Sequence, residues 1–240
     1  IFCTGNHDYG IQSAENRETG VNRYFTPGRN PANQPFFIEC GPNSFGEKTL
    51  ENAAWRFPLP GGRHLLVISL AFAPTAGEAA WAKELAARAE YKDDFGILLT
   101  HAYLDKKGKR IAKDKYQLNL DGGFTGEEIW QKLVRLSPNI RMVICGHIAV
   151  PDVWEGGISY AKDVNDAGKE VYQMAFNTQA IGGGWHGNGG DGWLRLLEFT
   201  PDLTTIKVRT FSPLFAISPS TRHLAWRTEP LNQFDIQIAE

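Results

Sequence analysis

The sequence predicts a layered α/β fold, and three observations carry the prediction. Runs at 65–70, 95–100 and 141–145 are apolar at nearly every position, as strands buried on both faces are. Helical patterns separate these runs. Beyond residue 150 the pattern changes to paired, β-rich segments around turn residues.

The elements follow in order. Ile1-Phe2-Cys3 is an apolar run that reads as the end of a buried strand. The chain begins there without Met, so a signal peptide, if the protein has one, is expected upstream. Gly61-Gly62 separates Ala53-Ala54-Trp55-Arg56-Phe57 from 64–70 and predicts a hairpin. Pro74 ends that stretch. Residues 77–91 are rich in Ala, Glu and Leu, and Trp81, Leu85 and Ala89 share one helical face. Thr125-Gly126-Glu127-Glu128 has the form of a capping box, followed by a stripe of Ile129, Leu133 and Leu136 that stops at Pro138. Later, 158–163 and 170–177 flank Asn165-Asp166-Ala167-Gly168, and 193–199 and 206–211 flank Pro201-Asp202. These predict an antiparallel, β-rich portion over 151–240, a second sheet packed on the first within one domain spanning 1–240.

Composition narrows the function classes. A chain of 240 residues can bury one sizeable core, and 42% hydrophobic with 22% charged residues is the balance of a globular domain. The net charge of -2 leaves no field to steer long nucleic acid or an anionic membrane. Lys106, Lys107, Lys109 and Arg110 read as a solvated loop. No apolar run approaches the roughly 18 residues of a membrane span. Cys3, Cys40 and Cys145 are too few and too scattered for a disulfide framework or a zinc knuckle, and Cys3 and Cys145, at the ends of apolar runs, read as buried free thiols.

Three polar signatures sit where apolar runs end: Gly5-Asn6-His7-Asp8, Thr100-His101 and Gly146-His147. Ligands of open α/β sheets bind beyond the carboxyl ends of strands, so residues far apart in sequence can meet there. Each histidine alone reads as a satisfied core or turn histidine. Together they read as a cation site, because neutral imidazole and a carboxamide oxygen suit Zn, Mn or Fe and a nearby free imidazole can donate a proton. His64, after a turn, and His223, beside Arg222, lack this setting and read as structural.

The order G-N-H-[DE], T-H, G-H resembles the second half of the signature of calcineurin-like metallophosphoesterases, the superfamily that includes purple acid phosphatases. Residues 104–110, Glu128-Ile129-Trp130, Pro138-Asn139-Ile140, and Gly192-Trp193-Leu194-Arg195 with Thr210-Phe211-Ser212-Pro213 are similar to a bacterial subgroup of it. The resemblance implies a β-sandwich flanked by helices, of which this chain carries the C-terminal two-thirds without the first strands and helix. It implies that Asn6, His101 and His147 ligate the second of two divalent metal ions. It casts His7 as the non-ligating proton donor and Asp8 as the carboxylate that orients His7 by a hydrogen bond. The implied activity is metal-dependent hydrolysis of a phosphomonoester or phosphodiester, on a small phosphorylated compound.

Two departures set the alternative. No D-x-H or G-D motif precedes Gly5, and the family's G-H-x-H is here Gly146-His147-Ile148-Ala149, whose last member cannot bind a metal. The alternative is a non-catalytic, degenerate binding module or an inactive fragment. His186, in Gly182-Gly183-Gly184-Trp185-His186-Gly187, is a candidate substrate contact, its other reading being a surface loop. An extracytoplasmic location is the expectation because similar proteins are often exported. Strands lacking upstream would leave a sheet edge exposed, so the chain alone is expected to be poorly soluble.

Overall fold

The computed structural model describes residues 1–238, and its apolar residues sort the chain into three layers: helices, a seven-stranded sheet and a four-stranded sheet. A short helix α1 (Val21–Tyr24) precedes the antiparallel run β1 (Phe37–Pro42), β2 (Lys48–Pro58) and β3 (His64–Ser69). Then come α2 (Ala76–Ala86), β4 (Phe95–Leu99), α3 (Gln117–Leu120), α4 (Gly126–Lys132) and β5 (Ile140–Cys145). The hairpin β6 (Ile158–Val164) and β7 (Glu170–Phe176) follows, and then β8 (Leu194–Phe199), β9 (Thr205–Phe211), α5 (Pro213–Ile217), β10 (Trp226–Arg227) and β11 (Phe234–Gln237).

The large sheet has the order β1-β2-β3-β4-β5-β7-β6, with β3, β4, β5 and β7 mutually parallel at its centre. Period-two alternation explains why these strands are apolar throughout. Leu66, Ile68, Leu98 and Val143 face Ala82 and Leu85 of α2 and Ile129 and Trp130 of α4. Ile97, Met142, Tyr172 and Met174 face the other way, onto Ile206 and Val208 of β9 and Ile236 of β11. Helices α2 and α4 are each started by a capping box, Thr75 with Glu78 and Thr125 with Glu128.

Four expectations are corrected. Ile1-Phe2-Cys3 belongs to no strand; Phe2 lies beside β3, taking a hydrogen bond from Ser69 Oγ, but both edges of β3 are already paired with β2 and β4. The helix expected over 77–91 ends at Ala86, where Asn139 Nδ2 donates to Ala86 O, so Ala89 lies beyond it. Leu136 leaves the expected stripe because α4 tightens into a 3-10 turn at Val134–Leu136, which turns it 40% exposed. The boundary between the sheets falls later than expected: β6 and β7 extend the first sheet, β7 parallel to β5, and the second sheet begins only at Leu194. All three cysteines are free, Cys40 and Cys145 buried and Cys3 partly so. Among the described residues no helix is long and apolar enough to cross a membrane.

Candidate functional site

The parallel pair β4 and β5 sets the site. Leu99 is in register with Ile144, and two further bonds, Thr100 N to Ile144 O (3.1 Å) and Gly146 N to His101 O (2.9 Å), carry the pairing past the strand ends. His101 and His147 therefore leave the sheet at the same edge. Asn6 arrives from a 3-10 turn, Asn6–Asp8, anchored on β2 through its C-cap Tyr9, whose hydroxyl donates to the buried Glu51 at 2.6 Å. Gly5 lets this turn come close: a Cβ there would lie 2.8 Å from the His101 ring.

Three donor atoms converge. His101 Nε2 lies 2.9 Å from Asn6 Oδ1 and 3.1 Å from His147 Nδ1. Adjacent ligands at about 2.1 Å from a small divalent ion stand about 3.0–3.4 Å apart, so these separations are those of neighbouring ligands. An amide oxygen only accepts, so the 2.9 Å contact puts a proton on His101 Nε2 when nothing else holds the group together, and that one proton faces His147 Nδ1 as well. A cation would satisfy all three lone pairs at once. Burial pushes His101 down to about 4, with the neighbouring His147 and His7 adding to the effect. His147 is lowered too, chiefly by burial, against an opposing pull from Asp114. Both imidazoles are thus neutral at pH 7, the form that ligates metals.

The rings are braced by aromatic edges. Phe72, fully buried, lies 5.9 Å from the His101 ring and 6.1 Å from the His147 ring, and Tyr116 meets His147 edge-on at 5.6 Å. His147 holds a left-handed backbone, φ 65°, a strained setting for a residue with a Cβ, and Asn177 Nδ2 secures its carbonyl at 3.2 Å. Thr100 Oγ, next to His101, is buried and has no hydrogen-bond partner among the described residues.

The structure brings Asn6, His101 and His147 together and places the other candidates around or away from them. His7 is exposed beside Asn6, and its Nδ1 donates to Gln12 O at 2.8 Å, which leaves Nε2 as its free nitrogen. Asp8 does not orient His7 as expected: its carboxylate accepts from Gly5 N at 2.7 Å, closing the 3-10 turn, and the backbone carbonyl of Gln12 takes the imidazole instead. His186 is exposed in the 3-10 turn Gly184–His186, whose loop is pinned by Asp152 Oδ1 on Gly183 N, and no hydrogen bond joins it to the three converging residues. Ala149 presents only a methyl group. Among the described residues no group of three or more His, Cys, Asp or Glu is placed to hold a metal ion, so the candidate donor set is two imidazoles and one amide oxygen.

Sequence reasoning did not single out Ser13, Gln12, Tyr116 or Phe72. Ser13 Oγ accepts from Asn6 Nδ2 at 2.8 Å, and the Tyr116 hydroxyl lies 3.5 Å from the same nitrogen. Nothing in local spacing marks them, since Tyr116 meets Asn6 only through the fold.

No family model matches the chain. Over 221 residues, 87% of its length, it is 26% identical to a protein of Bacillus subtilis (strain 168) described as Uncharacterized protein YvnB. The matching region amounts to 14% of that protein, so the chain spans a small part of the curated relative it is similar to.

Proposed function

We propose that this chain carries half of a dinuclear site for metal-dependent hydrolysis of a phosphomonoester or phosphodiester, in a fold of the calcineurin-like metallophosphoesterase type. The observation that supports this most is the convergence of Asn6 Oδ1, His101 Nε2 and His147 Nδ1 at 2.9 and 3.1 Å. These residues would hold one divalent ion, Mn, Fe or Zn. Such an ion supplies charge neutralisation for phosphoryl oxygens. His7, with Nδ1 committed to Gln12 O, offers Nε2 to carry the proton that a leaving alkoxide needs. The exposed setting of His7 beside Asn6 suits a substrate approaching from solvent. A small phosphorylated substrate fits the net charge of -2 better than a polynucleotide does.

Ala149 favours a second reading, a non-catalytic relative that retains the fold for binding, because the family pattern places a metal-binding histidine there. Equilibrium dialysis with Mn²⁺, Fe²⁺ and Zn²⁺ tests the site, and hydrolysis of a chromogenic phosphodiester tests the activity, each on this chain and on a version extended upstream. The expected result is one ion bound by this chain, with hydrolysis in the extended version. Metal binding without hydrolysis in either form supports the second reading, and no binding of any of the three ions sinks the first.

A further inference from the structure

One turn reaches the site at two points. Ser13 Oγ accepts from Asn6 Nδ2 at 2.8 Å, and its neighbour Gln12 accepts His7 Nδ1–H on its carbonyl at 2.8 Å. The turn is locked from within. The Glu15 carboxylate accepts the N–H of Gln12 at 3.0 Å and of Ser13 at 2.9 Å, Ala14 N donates to Tyr9 O at 2.9 Å, and Leu118 N donates to Ala14 O at 3.2 Å. Ala14 itself is fully buried against Tyr9, Phe72 and Leu118.

A carboxamide has two ends of nearly equal size, and only its oxygen offers a lone pair. Rotation about its last bond would turn the NH₂ of Asn6 toward the His101 and His147 nitrogens. A hydroxyl alone does not forbid that rotation, because it can donate as well as accept. Here Ser13 Oγ stands as the acceptor toward Asn6 Nδ2. Tyr116, held edge-on by Phe72 at 5.4 Å, adds a second oxygen at 3.5 Å from the same NH₂. Both protons of Nδ2 thus find acceptors on the outer side.

We propose that Ser13, backed by Tyr116, is a positioning residue that fixes the Asn6 amide with its oxygen toward His101 and His147. The purpose assigned to it rests on the cation-site reading above, while the clamp itself is read from the contacts of Asn6 Nδ2 with Ser13 and Tyr116. The same turn holds His7 through Gln12, so one element of the fold sets both residues.

The test uses this chain, with Mn²⁺ and Co²⁺ as probes, calorimetry for affinity and the visible Co²⁺ spectrum for the ligand set. Ser13→Ala is expected to weaken binding about 10- to 100-fold, as the loss of partners behind metal ligands does, with the apo chain still melting in one cooperative transition. In an Asn6→Asp background both ends of the side chain are oxygens, so Ser13→Ala should there change affinity by about twofold or less. Equal affinity of Ser13→Ala and the parent overturns the inference, as does a loss of the same size in both backgrounds. If the parent binds neither ion, the cation reading fails on its own, and the clamp is read from the Asn6 side-chain NH₂ signals of the apo chain. Slow exchange of those protons, lost in Ser13→Ala and weakened in Tyr116→Phe, supports the clamp; unchanged signals in Ser13→Ala overturn it.

Discussion

His147 Nδ1 faces His101 Nε2 across 3.1 Å, with neither nitrogen paired to a carboxylate. Two neutral imidazoles in this arrangement share a single proton, and a divalent ion would replace that compromise with two bonds. Mn²⁺ or Zn²⁺ is therefore expected to raise the melting temperature, reversibly on adding EDTA. At a hundredfold excess over the dissociation constant the gain is about 2.7 kcal/mol. His101→Ala and His147→Ala should each abolish the shift in a thermal melt, and a shift that survives both would place the ion elsewhere.

Acid should act through the same pair. The folded-state value of His101 is held at about 4, below the usual 6.5, because burial disfavours the imidazolium. Between these values the unfolded chain binds the proton and the folded chain does not. This contribution is fully present above pH 6.5 and is lost as pH falls toward 4, amounting to about 3 kcal/mol. Urea denaturation of the metal-free chain at pH 7.5, 5.5 and 4.5 should show a steeper loss for the parent than for His101→Gln. Parallel curves would contradict it.

Gly5→Ala probes the approach of the Asn6 turn to β4. The added methyl would sit 2.8 Å from the His101 ring, so the ring or the turn must move. Overpacking of this kind costs about 1–3 kcal/mol, and displacement of the ring should cost metal affinity as well. Calorimetric titration with Mn²⁺ checks the second effect; unchanged affinity would mean that the site tolerates a shifted ring.

At the opposite end of the same strands, Arg56 donates to both oxygens of the buried Asp94 at 2.8 and 3.0 Å and to Glu90 O at 3.2 Å. This fork ties β2 to the turn that launches β4. Asp94→Ala is expected to destabilise the chain by about 2 kcal/mol while leaving metal affinity as it was. A large change in affinity would reveal coupling along the strands that the static geometry does not suggest.

Sequence reasoning reached the parts of this molecule that obey local rules. Runs such as Phe95–Leu99 are apolar at every position because both their faces are covered, and Thr125 with Glu128 announces a helix start by its own chemistry. The meeting of His101 and His147 was legible because strand ends collect ligands, whereas Asn6 reaches them from a 3-10 turn that follows no strand. What stayed out of reach depends on non-local pairing. No pattern within Glu170–Phe176 says that it lies parallel to β5 rather than in a separate sheet. The partner of His7 is a main-chain carbonyl, which any residue at position 12 would supply, so the side chain of Asp8 drew an assignment that the backbone fulfils.

The positive φ of His147 has a consequence for any attempt to stabilise this chain. Glycine occupies that backbone region without penalty, whereas a residue with a Cβ gives up about 1 kcal/mol or more. On this backbone cost alone, set against the ring's packing on Phe72 and Tyr116, selection for heat resistance would favour His147→Gly, and that one substitution would erase one of the three converging donors. Stability and the candidate chemistry pull this position in opposite directions, so a library screened only for folding would return sturdier proteins with an emptied site.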